Sequence, residues 1–281
     1  MRFDGNNRSL RLRRALGLSH FLWQGILFGL PLIYLVVTSL HHYELGMPRG
    51  SVTLHNYRAL MASPFLISGM RSILVSICVA VLSAFISSGT VVCTWIVASP
   101  KVRWWIIVAC ALVFFAGAMP RTYALEFVFS ANGPLGPLWR WLSVVPLDST
   151  LGVVLASLGL VLPLALIIMY AFRRSIPDDL LDCARDLGAR ELTVQLSIVL
   201  PLLRPALIVT SVVSFLLAFG DVVAVSLIGG SQLYTAPLQV LDYIRIDDWG
   251  SAAAASVMLV AVVVAMIALG TSLIAVDARR R

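Results

Sequence analysis

Residues 180–205 read LLDCARDLGARELTVQLSIVLPLLRP, a charged and helical-looking stretch between two strongly apolar ones. The first half is two-faced. Leu180, Leu181, Ala184 and Leu187 share one side of a helix, and Asp179, Asp182 and Asp186 form a stripe on another. Upstream, Ser175-Ile176-Pro177-Asp178-Asp179 predicts a helix start. Ser175 is the expected cap, with Asp178 three residues on, and Pro177 and the acids suit the first turn. The helix is expected to reach about Leu187 and stop at Gly188, which enters the left-handed region at low cost. A second helix is predicted from Ala189-Arg190-Glu191 to Leu200, with Leu192, Leu196 and Val199 on one face. Pro201 and Pro205 then bend the path into the next apolar run. The expectation is a compact knob with apolar faces packed on the membrane domain and a polar surface outward. A plain connector between spans is usually shorter.

The flanking segments set the class. Of 281 residues, 59% are hydrophobic and only 12% charged, about half the charge of an ordinary soluble domain. Apolar runs long enough to cross a bilayer recur. The fold class expected is all-α, a polytopic membrane protein with about six transmembrane helices. They are placed at roughly 21–40, 68–98, 104–125, 150–172, 205–229 and 250–276. A β-barrel would need short alternating segments, which the sequence lacks. Of the 21 basic residues, 15 fall on the side of both termini and of the 173–204 stretch, and 6 on the other. The positive-inside rule therefore puts both termini and the quoted stretch in the cytoplasm. The net charge of +7 is a topology signal, not a nucleic-acid footprint. RLRRALGL followed by FLWQGILFGLPLIYLVVTSL imitates a signal peptide, but the apolar part is too long and no A-x-A site follows, so an uncleaved first span is expected.

The expected organisation is a cytoplasmic N-terminal segment at 1–20, a membrane domain at 21–276 that includes the cytoplasmic helices at about 176–200, and a cytoplasmic tail at 277–281. In the outer loop at 126–149, Gly and Pro break structure and Trp139 and Trp141 suit the membrane interface. Gly229-Gly230 is expected to be a turn.

Chemistry-bearing motifs are few. Cys78, Cys93, Cys110 and Cys183 form no CxxC pair, and His20, His41, His42 and His55 form no metal motif. The one lysine, Lys101, is preceded by Ser-Pro, so the chain has no P-loop. No nucleophile–base constellation marks an enzyme. Asp221 stands inside the expected fifth span, and a carboxylate there is a functional candidate by default. The alternative is a structural role, through a neighbouring helix or a hydrogen bond near Gly220. Tyr123 and Glu126, at the outer end of the third span, are further substrate-pathway candidates.

The spacing Asp182-Cys183-Ala184-x3-Gly188-x9-Ile198-x-Leu200-Pro201 resembles the EAA motif of ABC importer permeases, E-A-A-x3-G-x9-I-x-L-P. The departures are Asp182 for Glu and Cys183 for the first Ala. The resemblance implies a type I ABC importer transmembrane domain. It implies that Asp182, Cys183, Ala184, Gly188, Ile198, Leu200 and Pro201 couple the chain to a separate ABC ATPase subunit. A second permease and an extracytoplasmic solute-binding protein are the other implied partners, with ATP and magnesium on the ATPase subunits and no cofactor on this chain. SVTLHNYRAL, MPRTYALEFVFSANGPL and IDDWGSAAAAS resemble the spermidine/putrescine-type branch. That implies import of a polyamine across the inner membrane, with thiamine, ferric iron, phosphonate or an opine as alternatives in the same role. Of another class are an ion-coupled secondary transporter, which would show inverted repeats and broken helices, and an intramembrane enzyme.

Overall fold

The structure, a computed structural model, describes residues 23–44, 47–49, 52–143, 145–230 and 233–279. The expected segment at 1–20, the start of the first span and the last two tail residues lie outside these.

The chain divides into two compact units, residues 1–63 with 240–258, and residues 64–239 with 259–281. In the first, helix α1 (Gly25–Ser39) precedes a short antiparallel hairpin, β1 (His42–Glu44) with β2 (Met47–Arg49), and then α2 (His55–Ala62). Asn56 is the clasp of this unit. It is buried, and its Nδ2 donates to the carbonyls of Ser39 at 2.9 Å and His41 at 2.8 Å. Both carbonyls belong to the turn that ends α1, where helix acceptors are left open. The His41 ring is hydrogen-bonded to the Val37 carbonyl at 2.8 Å, closing that helix end.

The second unit holds the helix bundle. Its elements in order are α3 (Phe65–Val97), α4 (Pro100–Phe115), α5 (Ala118–Phe129), α6 (Gly136–Trp141), α7 (Thr150–Arg174), α8 (Asp178–Asp186), α9 (Glu191–Leu202), α10 (Arg204–Phe219) and α11 (Val222–Ile228). Helices α12 (Ala236–Arg245) and α13 (Trp249–Arg279) contribute residues to both units. Among the described residues, α3, α7 and α13 are each long and apolar enough to cross a membrane. The bent pairs α4–α5 and α9–α10 bring the number to five if each is one span. Helix α1 is apolar but shorter.

Two expected spans are therefore not straight. The third turns by 97° after Phe115. The fifth is approached through a 63° bend between α9 and α10, beside the predicted Pro201 and Pro205, and is broken again at Gly220-Asp221. Helices α3, α7 and α10 form the core. Val79, Val91, Val153, Val161, Met169, Tyr170 and Phe215 are all at most 1% exposed. Lipid supplies no hydrophobic drive between helices, so small residues and polar links hold such contacts. Ser83 on α3 donates to the hydroxyl of Ser214 on α10 at 2.8 Å, and Phe215 stacks on Phe219 at 5.4 Å.

The 126–149 loop is more ordered than its Gly and Pro content predicts, because α6 forms inside it. Trp139 is half-buried. Its Nε1 donates to the Val128 carbonyl at 3.1 Å and its ring meets Phe129 edge-on. Trp141 remains exposed.

Gly152, in the first turn of α7, is held against the preceding loop. A Cβ there would lie 1.9 Å from the Pro146 carbonyl oxygen and 3.0 Å from Ile228 Cγ2. Gly89, within α3, faces open space. Gly152→Ala should lower the thermal midpoint in detergent, with an overpacking cost of about 1–3 kcal/mol. Gly89→Ala should hold or raise it, since Ala is the better helix former.

Candidate functional site

The stretch at 178–202 forms two helices hinged at Gly188. Helix α8 ends in a complete Schellman turn. The Gly188 N–H donates to the Arg185 carbonyl at 2.8 Å, and the Ala189 N–H donates to the Ala184 carbonyl at 3.1 Å. Gly188 has φ +84°, which a side chain would strain. The predicted stop is where it was expected. The predicted start is not. Ser175 closes α7 instead, its hydroxyl donating to the Phe172 carbonyl at 2.7 Å, while Pro177 is the residue that precedes α8 without a side-chain cap.

An ion-paired girdle locks the two helices across the hinge. Arg185 Nη1 donates to Asp182 at 2.6 Å. Its Nε and Nη2 grip both oxygens of Glu191 at 2.9 and 3.2 Å. Gln195, fully buried, adds a bond from Nε2 to Glu191 at 2.8 Å. The hydrogen bonds that Arg185 donates to Glu191 first and Asp182 second push its guanidinium above the ordinary range. The bonds from Arg185 and then Gln195 hold the Glu191 carboxyl below its usual 4.5. Sequence reasoning missed this girdle, although Asp182 and Arg185 stand at i, i+3, a spacing that places them on one face.

The faces of the knob differ from the amphipathic reading. Leu181, Val194 and Val199 are fully buried in one cluster with Val91, Met169, Tyr170 and Leu203. Ala184, Ala189 and Ile198 pack against it. Leu180, Leu187, Leu192 and Leu196 are not on the bundle. They are exposed, Leu187 by 89%. The correction has a simple cause. Two short helices crossing at Gly188 can seat only one narrow stripe each, and α9 seats Val194 and Val199 rather than Leu192 and Leu196. The outward surface is therefore leucine-rich, with the exposed Asp182 and Cys183 beside it. Of the motif residues, Ala184 and Ile198 lean on the bundle, Gly188 makes the turn, and Leu200 and Pro201 are half-buried at the approach to the 63° bend.

Asp221 is not inside a continuous helix. It stands at the break and caps α11, with Oδ1 accepting from the Ala224 N–H at 3.0 Å and Oδ2 from the Ser157 hydroxyl on α7 at 3.2 Å. It is 9% exposed. A void of about 10 Å³ adjoins it, lined by Ser72, Phe219 and Thr235 among others. That is room for about one water. Tyr123 is exposed and Glu126 half-buried, both on α5. Among the described residues neither shares a hydrogen bond or ion pair with Asp221, so the structure does not join the three candidates into one polar site.

A bundle of long and bent apolar helices with a hinged helical knob defines a class, the membrane component of a transport system. The chain belongs to the family described as binding-protein-dependent transport system inner membrane component, which matches residues 57–280. Among relatives, it is 27% identical over 165 residues to the spermidine/putrescine transport system permease protein PotB of Escherichia coli (strain K12), covering 57% of this chain and 60% of that one. It is 33% identical over 85 residues to PotC of the same organism and system, 30% of this chain and 32% of that one. The match to PotB thus spans less than two thirds of that relative's length. Among solved structures, a bacterial ABC transporter involved in the import of the acidic polysaccharide alginate has a TM-score of 0.76 at 16% identity. It covers 98% of this chain and 97% of that one. The same kind of transporter in complex with alginate pentasaccharide-bound periplasmic protein gives 0.71 at 15%. These two show the fold.

Two measurements test the site. Because the Glu191 carboxyl is depressed when folded, its pairing with Arg185 contributes fully above the ordinary 4.5 and is lost as pH falls through the lower folded value. Hydrogen exchange over 178–200, corrected for intrinsic rate, should stay flat from neutral pH to that point and then accelerate. Glu191→Gln should remove the step. Separately, Asp221→Ala should cost about 1 kcal/mol through loss of the α11 cap, whereas Asp221→Asn keeps an acceptor and most of the stability.

Proposed function

We propose that this chain is the membrane-spanning subunit of an ATP-driven importer, and that the 178–202 knob is its coupling element. The observation that carries this reading is the outward face of the knob. Exposed leucines beside Asp182 and Cys183, braced from behind by the Arg185–Glu191 girdle, suit a protein partner better than water. The EAA-like spacing at Asp182, Cys183, Ala184, Gly188, Ile198, Leu200 and Pro201 lies on this same element. An ABC ATPase pair would hold ATP and magnesium and dock there. A second permease would complete the pathway, and a solute-binding protein would deliver the solute from outside. The domain plan that goes with this reading has residues 21–276 as the permease domain and both termini in the cytoplasm, which the basic asymmetry of the loops supports.

The mechanism is alternating access. Closure of the ATPases draws the coupling elements together. The seam at Leu181 and Val194 passes the movement to α3 and α7, which supply Val91, Met169 and Tyr170. Because interiors are close-packed, the knob moves its helices as a body instead of sliding over them. The solute class favoured is a polyamine. Similarity to PotB and PotC supports it, and a carboxylate at a helix break suits a cation. Thiamine, ferric iron, phosphonate and opine remain alternatives for the same machine.

One observation favours a second reading, an ion-coupled secondary transporter: the helix breaks at Phe115–Ala118 and Gly220-Asp221 are of the kind such transporters use. That reading gives the knob no role, so the knob is where the two are separated.

The test is ATP turnover of the complex rebuilt in lipid with its ATPase, second permease and binding protein, with spermidine, putrescine, thiamine and ferric iron offered in turn. One ligand should raise turnover. Gly188→Pro, which cannot adopt φ +84°, and Leu187→Asp should each cut the stimulation by about tenfold while assembly, followed by gel filtration, persists. Asp221→Asn should lower uptake of a polyamine while keeping most of the stability. Transport that proceeds without an ATPase, or knob variants that couple normally, would overturn the reading.

A further inference from the structure

The knob-bearing end of the bundle carries a second polar site. The end of α3, the start of α4 and the end of α7 enclose a pocket of about 130 Å³, whose lining includes Trp95, Arg103, Trp104, Tyr170 and Arg174. One water needs roughly 10–15 Å³ of such space, so a phosphate-sized group fits. The lining holds two guanidinium groups and no carboxylate.

Arg103 and Arg173 are held in place by the Trp95 ring. Arg103 uses Nε on the Ala98 carbonyl at 3.0 Å and lies over the Trp95 ring at 4.5 Å. Arg173 lies over the same ring at 4.6 Å. It is 1% exposed, and its Nε and Nη2 have no hydrogen-bond partner among the described residues. The nearby charges it feels are Asp178 and Glu191 against Arg103 and Arg185, and Glu191 is already taken by Arg185. Arg174 makes no hydrogen bond or ion pair among the described residues. Two arginines thus share one indole, and Arg174 lines the same pocket. Planar guanidinium groups bind phosphate oxygens in pairs.

The mouth of the pocket suits a membrane surface. Trp104 and Trp105 are exposed beside Lys101, a composition typical of the headgroup level. Trp104, Leu112 and Phe115, at i, i+8 and i+11, form an exposed apolar stripe along α4 away from the pocket.

We infer that this pocket is a phosphate-binding site for an acidic phospholipid, with Arg103 and Arg174 on the phosphate, Trp95 bracing the guanidinium of Arg103, and the acyl chains lying along the Trp104–Leu112–Phe115 stripe. Trp95, Ile107 and Phe172 pack on the same cluster as Leu181 and Val194, so the headgroup sits against the root of the knob.

Native mass spectrometry of the full chain in detergent tests this, with phosphatidylglycerol and phosphatidylcholine of equal acyl length as probes and inorganic phosphate in a parallel thermal-shift titration. Phosphatidylglycerol should bind more tightly than phosphatidylcholine. The preference should fall by roughly fivefold for each arginine in Arg103→Gln and Arg174→Gln. It should survive Arg204→Gln, which removes a basic residue from the same end. A photoactivatable phosphatidylglycerol on the unmutated chain should label the peptides bearing Trp95 or Trp104, a readout independent of whether the variants fold. Stabilisation by inorganic phosphate alone, lost in the double glutamine variant, would support the phosphate chemistry with a soluble source. Equal binding of the two lipids, a preference that survives the double variant, or labelling elsewhere would overturn the site.

Discussion

The seating of Leu181 and Val194 against Val91, Met169 and Tyr170 is the contact on which the architecture turns. It joins a small polar element to a large apolar one. Both side chains are fully buried, and each such burial stabilises by roughly 1.5–3 kcal/mol. The two helices that carry them are short, and isolated helices of that length are marginal in water. Packing on the bundle, the Schellman turn at Gly188 and the grip of Arg185 on Glu191 make up the deficit together. The exposed ion pairs alone would contribute little. Their value lies in fixing the angle between α8 and α9, which decides which leucines face out.

A second constraint shapes the apolar part. A chain in lipid has to satisfy its own backbone groups, so a break in a helix needs a local partner. At the break before α11, Asp221 supplies one by accepting from the Ala224 N–H, and Ser157 on α7 satisfies its second oxygen. The costly buried carboxylate is thereby tied into two helices. The same geometry leaves it beside a void with room for about one water.

Family membership and the near-complete overlap with alginate importers speak to the fold. Sequence similarity points instead towards the spermidine/putrescine permeases. The two agree on what the backbone is and differ in the solute their names carry. This is expected where one helix bundle serves many solutes through side-chain changes along its pathway.

The sequence by itself determined the class, the positions of the long apolar helices and the glycine hinge. These rest on hydrophobic run length, loop charge and the left-handed preference of Gly188, all local properties. It also placed the EAA-like spacing on the element that the structure builds as the knob. Tertiary structure alone decided the rest. The turn after Phe115 and the capped break at Asp221 depend on what neighbouring helices offer a freed backbone. The exposure of Leu187 and Leu192 depends on the crossing of two helices, which periodicity along one helix cannot report. The meeting of Arg103 and Arg173 over Trp95 joins the end of α7 to the distant α3–α4 turn, and only folding brings such charges to one ring.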